Sequence, residues 1–178
     1  METQAKKSKP ENPMKKIFLE KVTLNICAGN DKLAMQKAEK LLIKLTNKTP
    51  VRCTAKKRIA QWQLRPGLPI GYKVTLRGGD AKKILKWVLV SKRSKLSQKS
   101  FDSYGNFSVG FHEYLDLEGM KYDAEIGIMG FEMVVTFARK GYRILRRRVY
   151  KNKVPLRHRV TKEEVTEYLK ENIGVEVE

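Results

Sequence analysis

The sequence predicts an α+β two-layer sandwich, a mainly antiparallel sheet with helices on one face and a polar face on the other. Three observations predict it. Several stretches alternate apolar and polar residues with the period of a half-buried strand. Between them lie longer stretches with an apolar stripe at helical spacing and capping residues at their starts. The two kinds come in mixed order, as in α+β proteins.

In chain order, IFLEKVTLNI (17–26) alternates, with Val22, Leu24 and Ile26 on one side and Lys21, Thr23 and Asn25 on the other. Asp31 is placed to cap a helix whose apolar face is Ala34, Ala38, Leu41, Leu42 and Leu45, closing near Asn47. PVRCTAKK predicts a short strand with Val51 and Cys53 inward and Arg52, Thr54 and Lys56 outward. In YKVTLRG, Val74 and Leu76 oppose Lys73, Thr75 and Arg77. Asp80 is read as the cap of a second helix with the stripe Ile84, Leu85, Val88 and Leu89. GNFSVGFHEYL and GFEMVVTFAR predict two more strands, the second apolar enough to be central. YRILRRRVY fits a strand or an irregular arm. TKEEVTEYLKENIG carries a capping box, Thr161 with Glu164, ahead of Val165, Tyr168 and Leu169.

The length suits one domain, residues 14–178, behind a flexible basic-leaning tail, residues 1–13. The charge balance is the unusual feature: 38 Lys and Arg against 19 Asp and Glu, a net +19. Such a surplus points to a polyanion, nucleic acid before anionic membrane. It is also segregated. Ten basic residues and no acid lie between Glu39 and Asp80, and ten basic residues crowd 139–159, whereas 102–138 holds seven acids against Lys121. Lys21, Arg52, Lys56, Lys73 and Arg77, interleaved with Thr and Asn, are read as one sheet face without acidic counterparts, suited to phosphate and sugar contacts on folded RNA.

Signals for other chemistry are weak. Cys27 and Cys53 lack CxxC spacing and His112 and His158 stand alone, so no metal or cofactor site is predicted and the cysteines are read as reduced core thiols. GNFSVG has glycines at Walker spacing, but Phe111 and His112 follow where Lys and Ser/Thr are required. Phe107 and Phe111 are read as core. Asp123 and Glu125 lack a histidine or other partner for acid–base work and are read as a solvated loop. The N-terminus lacks the apolar core of a signal peptide and no run suits a membrane span, so a soluble intracellular protein is expected. Residues 55–71, basic and punctuated by Pro66, Gly67, Pro69 and Gly71, predict a protruding loop. Its Trp62, near Lys57, Arg58 and Arg65, either tucks onto the domain or stacks on a nucleotide.

EKVTLNICAG (20–29), AEKLLIKLTNKTPVRCTAKKRIA (38–60), PIGYKVTLRGG (69–79), FDSYGNFSVGFHEY (101–114) and YDAEIGIMGFEMVVTFARKGYR (122–143), in that order, resemble the universal large-subunit ribosomal protein five family, in its archaeal/eukaryotic form. The resemblance implies a non-enzymatic component of the central protuberance, cytoplasmic and ribosome-bound. Its implied partners are 5S rRNA, large-subunit rRNA, P-site tRNA and neighbouring ribosomal proteins. It places 5S rRNA on the polar sheet face at Lys21, Asn25 and Thr75, in agreement with strand parity, which adds Arg52, Thr54, Lys56 and Arg77. Lys48 stands where the family often has Gln, which keeps hydrogen-bonding capacity and adds charge. The loop at 55–71 is implied to reach tRNA through Lys57, Arg58, Gln61, Trp62 and Arg65. The basic stretch with Arg139, Arg143, Arg146, Arg147 and Arg148 is implied to neutralise large-subunit rRNA.

Overall fold

The computed structural model describes residues 12–92 and 94–177. The tail expected over 1–13 lies outside these except for Asn12 and Pro13. Asn12 closes a turn, its Oδ1 accepting from the Met14 amide at 3.0 Å.

The elements are β1 (Ile17–Cys27), α1 (Lys32–Thr46), β2 (Val51–Thr54), β3 (Pro69–Leu76), α2 (Gly78–Ser91), β4 (Lys95–Leu96), β5 (Phe107–Phe111), β6 (Phe131–Arg139), α3 (Arg143–Arg146), α4 (Lys162–Ile173) and β7 (Glu176–Val177). Five strands form one antiparallel sheet in the order β2-β3-β1-β6-β5, and β4 and β7 make a small parallel pair apart from it. The α+β sandwich expected from the sequence is the fold observed.

Alternation sets the sheet's two sides. Val22, Leu24 and Ile26 of β1, Tyr72, Val74 and Leu76 of β3, and Met133, Val135 and Phe137 of β6 all point into one core. Against them pack α1, which lies on β3, and α2, which lies on β1. The α4 ring Tyr168 meets Phe137 edge-on at 5.6 Å, so that helix joins the same layer. Phe107 and Phe111 are core, as expected, and Phe111 stacks on Phe131 at 4.9 Å.

The caps follow local chemistry. Asp31 accepts the Leu33 amide at 2.9 Å and Asn47 ends α1 in the left-handed conformation. Thr161 and Glu164 form the expected reciprocal box at the start of α4. Asp80 is a correction. Arg77 occupies the N-cap without a side-chain bond, and Asp80 lies inside the first turn, where its charge favours the helix dipole. Chain entry through Gly78 and Gly79 starts the helix earlier than the acidic residue suggests. YRILRRRVY is also resolved: one turn of helix, α3, opens an otherwise irregular arm.

Candidate nucleic-acid interface

Directly opposed residues of antiparallel strands share a face, so register shows what the open side carries. One row across the sheet reads Val51, Lys73, Asn25, Glu132, Gly110, and the next reads Thr75, Thr23, Val134, Ser108. Lys21 opposes Thr136 one step further along. Lys73 and Thr75 are exposed, and Lys21, Thr23 and Asn25 are half-exposed. Arg77 follows the same parity beyond the end of β3, with its side chain 63% exposed.

Three expectations about this face need correction. Arg52 opposes Tyr72, not Lys73, and therefore sits on the helix side. There its guanidinium lies 5.9 Å from the Tyr72 ring and donates to the Tyr72 hydroxyl at 3.3 Å. The open face of β2 instead carries Val51, which is 60% exposed, and Cys53. Hydrophobicity implied the reverse, but an edge strand need not bury its apolar residues. Second, Cys27 and Cys53 are free thiols but not core: both oppose Gly71 on the open face. Third, acids are present. Glu132 neighbours Asn25, and Glu20 occupies a bulge in β1, its side chain only 7% exposed. Positive charge on this face is thus concentrated over β3 and β1, and Thr54 and Lys56 stand exposed at its loop end, Thr54 beyond a register shift.

Three lysines on α1 or just beyond it are spoken for. Lys40 bonds Glu125 at 2.5 Å, Lys44 bonds Asp123 at 2.9 Å, and Lys48 bonds Asp80 at 2.6 Å. The Lys48 ammonium holds the Asp80 carboxyl below the usual carboxylate range, and Lys44 does the same for Asp123. The Asp123–Glu125 segment is therefore an electrostatic cover for α1 and not a free carboxylate pair. By contrast, the ammonium groups of Lys21 and Lys73 have no hydrogen-bond or salt-bridge partner among the described residues.

The 55–71 segment has more order than its composition suggests. Beyond β2 the hairpin pairing continues, with the Ala55 amide donating to Leu68 and Ile59 and Leu64 exchanging backbone bonds at 3.1 and 3.0 Å. A single 3-10 turn, Ala60–Trp62, forms the tip. Trp62 is 65% exposed, so it is not tucked onto the domain, and Lys57, Arg58, Gln61 and Arg65 are exposed around it. Ile59 and Leu64 were the available signal for this pairing, but one apolar residue on each side is too short a pattern to read as strand.

The second basic arm divides. Arg139 is a correction: it is buried, donating to Glu164 at 2.5 Å and to the Arg159 carbonyl at 3.3 Å, while its Nε has no partner. It ends β6 with core parity, facing α4, and so is a structural cation. Arg146 clamps Glu20 with both terminal nitrogens, tying the arm to the sheet, and Arg77 lies 3.7 Å from the same carboxylate. Arg147 donates through Nε to the Tyr150 carbonyl at 2.7 Å. Arg143 and Arg148 are exposed. His158 turns inward, its Nε2 2.8 Å from the Lys140 carbonyl. Among the described residues no group of three or more His, Cys, Asp and Glu could hold a metal, and no helix is long and apolar enough to cross a membrane.

A sandwich with one cationic open sheet face and two exposed basic arms defines a nucleic-acid-binding scaffold. Residues 12–65 match the family described as ribosomal protein L5, and residues 69–168 match the model of that family's C-terminus. The chain is similar to large ribosomal subunit protein uL5 of Nanoarchaeum equitans, 49% identical over 94% of this chain and 99% of the relative. It is 46% identical to that of Sulfurisphaera tokodaii (93% and 94% covered) and 44% identical to that of Sulfolobus acidocaldarius (96% of each). The chain belongs to the ribosomal protein L5 family. It is a structural component of the large ribosomal subunit, ribosome-bound in the cytoplasm, with ribosomal RNA and ribosomal proteins as partners, and it is not an enzyme.

Proposed function

We propose that the open sheet face holds 5S rRNA, with Lys21, Lys73 and Arg77 on phosphates and Asn25 and Thr75 setting register through directed hydrogen bonds. The observation that carries this reading is the open sheet face itself: register puts Lys21, Lys73, Asn25 and Thr75 on one side, away from the core, and the two ammonium groups meet no carboxylate among the described residues. Thr54 and Lys56 form its rim, and Lys48 joins them only by exchanging its Asp80 carboxylate for a phosphate. The hairpin arm reaches P-site tRNA with Trp62 at its tip, flanked by Lys57, Arg58, Gln61 and Arg65. The arm containing Arg143, Arg147 and Arg148 lies on large-subunit rRNA, beside neighbouring proteins of the central protuberance.

Asn25→Ala combined with Thr75→Ala is expected to weaken 5S rRNA binding by about 1–3 kcal/mol, the sum of two directed hydrogen bonds, with the urea midpoint unchanged. Filter binding at matched salt checks this, and unchanged affinity means the wrong face has been chosen. Removing residues 58–68 is expected to spare 5S affinity, because the β2–β3 pairing, from Val51 opposite Lys73 to Thr54 opposite Pro69, lies outside the excised segment. The same deletion should impair tRNA-dependent steps on reconstituted subunits. Loss of 5S binding instead would reassign the arm to 5S rRNA.

A further inference from the structure

We propose that the cleft between the sheet end and the second basic arm is a pocket for one unpaired nucleobase, extruded from the RNA on which that arm lies. This rests on the arm being an RNA surface and adds what it recognises there. The cleft has a volume of about 310 Å³, with Tyr104, Phe137, Leu145 and Val154 among its walls. That is the small end of ligand-sized cavities and suits a flat ring better than a folded peptide.

Tyr104 is the key wall. The Arg159 guanidinium carbon lies 5.4 Å from its ring centroid, and the arginine is held by its Nε on the Val154 carbonyl at 3.3 Å. Yet Tyr104 remains 53% exposed. One side of the ring is thus already stacked by a cation while much of the ring stays open. An aromatic ring backed by a fixed guanidinium is half of a base-stacking sandwich, and a nucleobase completes it. The Tyr104 backbone is fixed as well, since Asp102 Oδ1 accepts the amides of Tyr104 and Asn106 at 2.8 Å each.

The polar groups around the cleft fall into two sets. Asn106 is committed to Asp102 and the Phe137 amide, Tyr142 to Val160 and His158, and Arg146 to Glu20. The Lys153 ammonium and Thr136 hydroxyl, which also line the cleft, are not among those committed groups. They offer a donor for the attached phosphate and a donor–acceptor for a base edge. A cleft ringed by Arg146, Lys153 and Arg159 favours an anion-bearing ring over a neutral apolar side chain.

The test is ultraviolet irradiation of large subunits carrying this chain, with nucleotide adducts mapped by mass spectrometry. An adduct on Tyr104 alongside adducts on the open sheet face or on Trp62 is the expected result. Adducts at those other places with none on Tyr104 overturn the pocket and leave the RNA surfaces intact. No adduct anywhere overturns the RNA reading with it. In rebinding to subunits stripped of this protein, Tyr104→Phe should behave as the parent, and Tyr104→Leu should bind about tenfold more weakly, the loss of one base stack. Equal urea midpoints for both variants exclude misfolding, and parental rebinding by Tyr104→Leu refutes the pocket.

Discussion

Glu164→Ala is expected to lower the unfolding free energy by about 3 kcal/mol, the low end for breaking a buried ion pair, because Glu164 itself is 38% exposed. Two losses combine. Arg139, whose side chain is 6% exposed and whose Nε already lacks a partner, is left with an uncompensated charge. The capping box also goes, since Glu164 accepts the Thr161 amide at 3.1 Å. Arg139→Met with Glu164→Gln should recover most of the loss, because an apolar side chain needs no counter-ion there and Gln still accepts from Thr161. Urea unfolding measures both. If the double variant keeps parental 5S and large-subunit RNA affinity, Arg139 is structural.

The same pair predicts a pH dependence. Burial pushes the Glu164 carboxyl up, but the Thr161 amide and the Arg139 guanidinium outweigh it, and the net shift is downward. A carboxylate whose pKa is lower folded than unfolded stabilises fully above its unfolded value, about 4.3. That contribution is lost as pH falls through the lower folded value. The stability gap between the parent and Glu164→Gln should therefore be constant near neutrality and close in acid. A gap that widened in acid would show the carboxyl to be bound in its protonated form.

Gly71→Ala is the second large effect. An added Cβ would stand 2.4 Å from the Ile26 carbonyl oxygen and 3.1 Å from the Cys27 Cα, both backbone atoms of the neighbouring strand. No rotamer relieves that contact, so β1 and β3 must part, at a cost of about 3 kcal/mol or more. Their parting also disturbs the row that joins Lys73 to Asn25. RNA affinity should fall even under conditions where the variant remains folded. Gly110→Ala is the control. It lies on the same face with no heavy atom within 4 Å of the added carbon, and should change stability by less than about 0.5 kcal/mol. Equal stabilities for the two variants would mean that β1 and β3 are not held as closely as described.

Much of the fold was legible because its signals are local. Thr161 and Glu164 are three residues apart and announce α4, and Asp31 and Asn47 bracket α1 within a single helix. The apolar halves of β1, β3 and β6 repeat at period 2 and all turned inward. The misreadings concern residues whose environment comes from elsewhere in the chain. Arg146 and Glu20 are separated by 126 positions, and Arg139 and Glu164 by 25. In sequence, Arg139 looks like any other member of a basic run. Glu132 sits in a strand that reads as apolar, and only its alignment with Asn25 places a carboxylate on the open face.

From the sequence alone follow the sign and segregation of charge, the two-layer class, and the identity of the strands that present Lys, Asn and Thr opposite a hydrophobic side. These depend on composition and periodicity, which the chain carries wherever it folds. Which cations remain free was decided by the tertiary structure. Packing β2 at the sheet edge turned Arg52 toward Tyr72, and α4 drew Arg139 inward. A bulge at Glu20 captured Arg146, while Lys21 and Lys73 were left facing solvent. Alternation tells which residues of a strand lie together, but a one-residue change of register exchanges the two sides. An ion pair exists only once folding has brought its partners within about 4 Å.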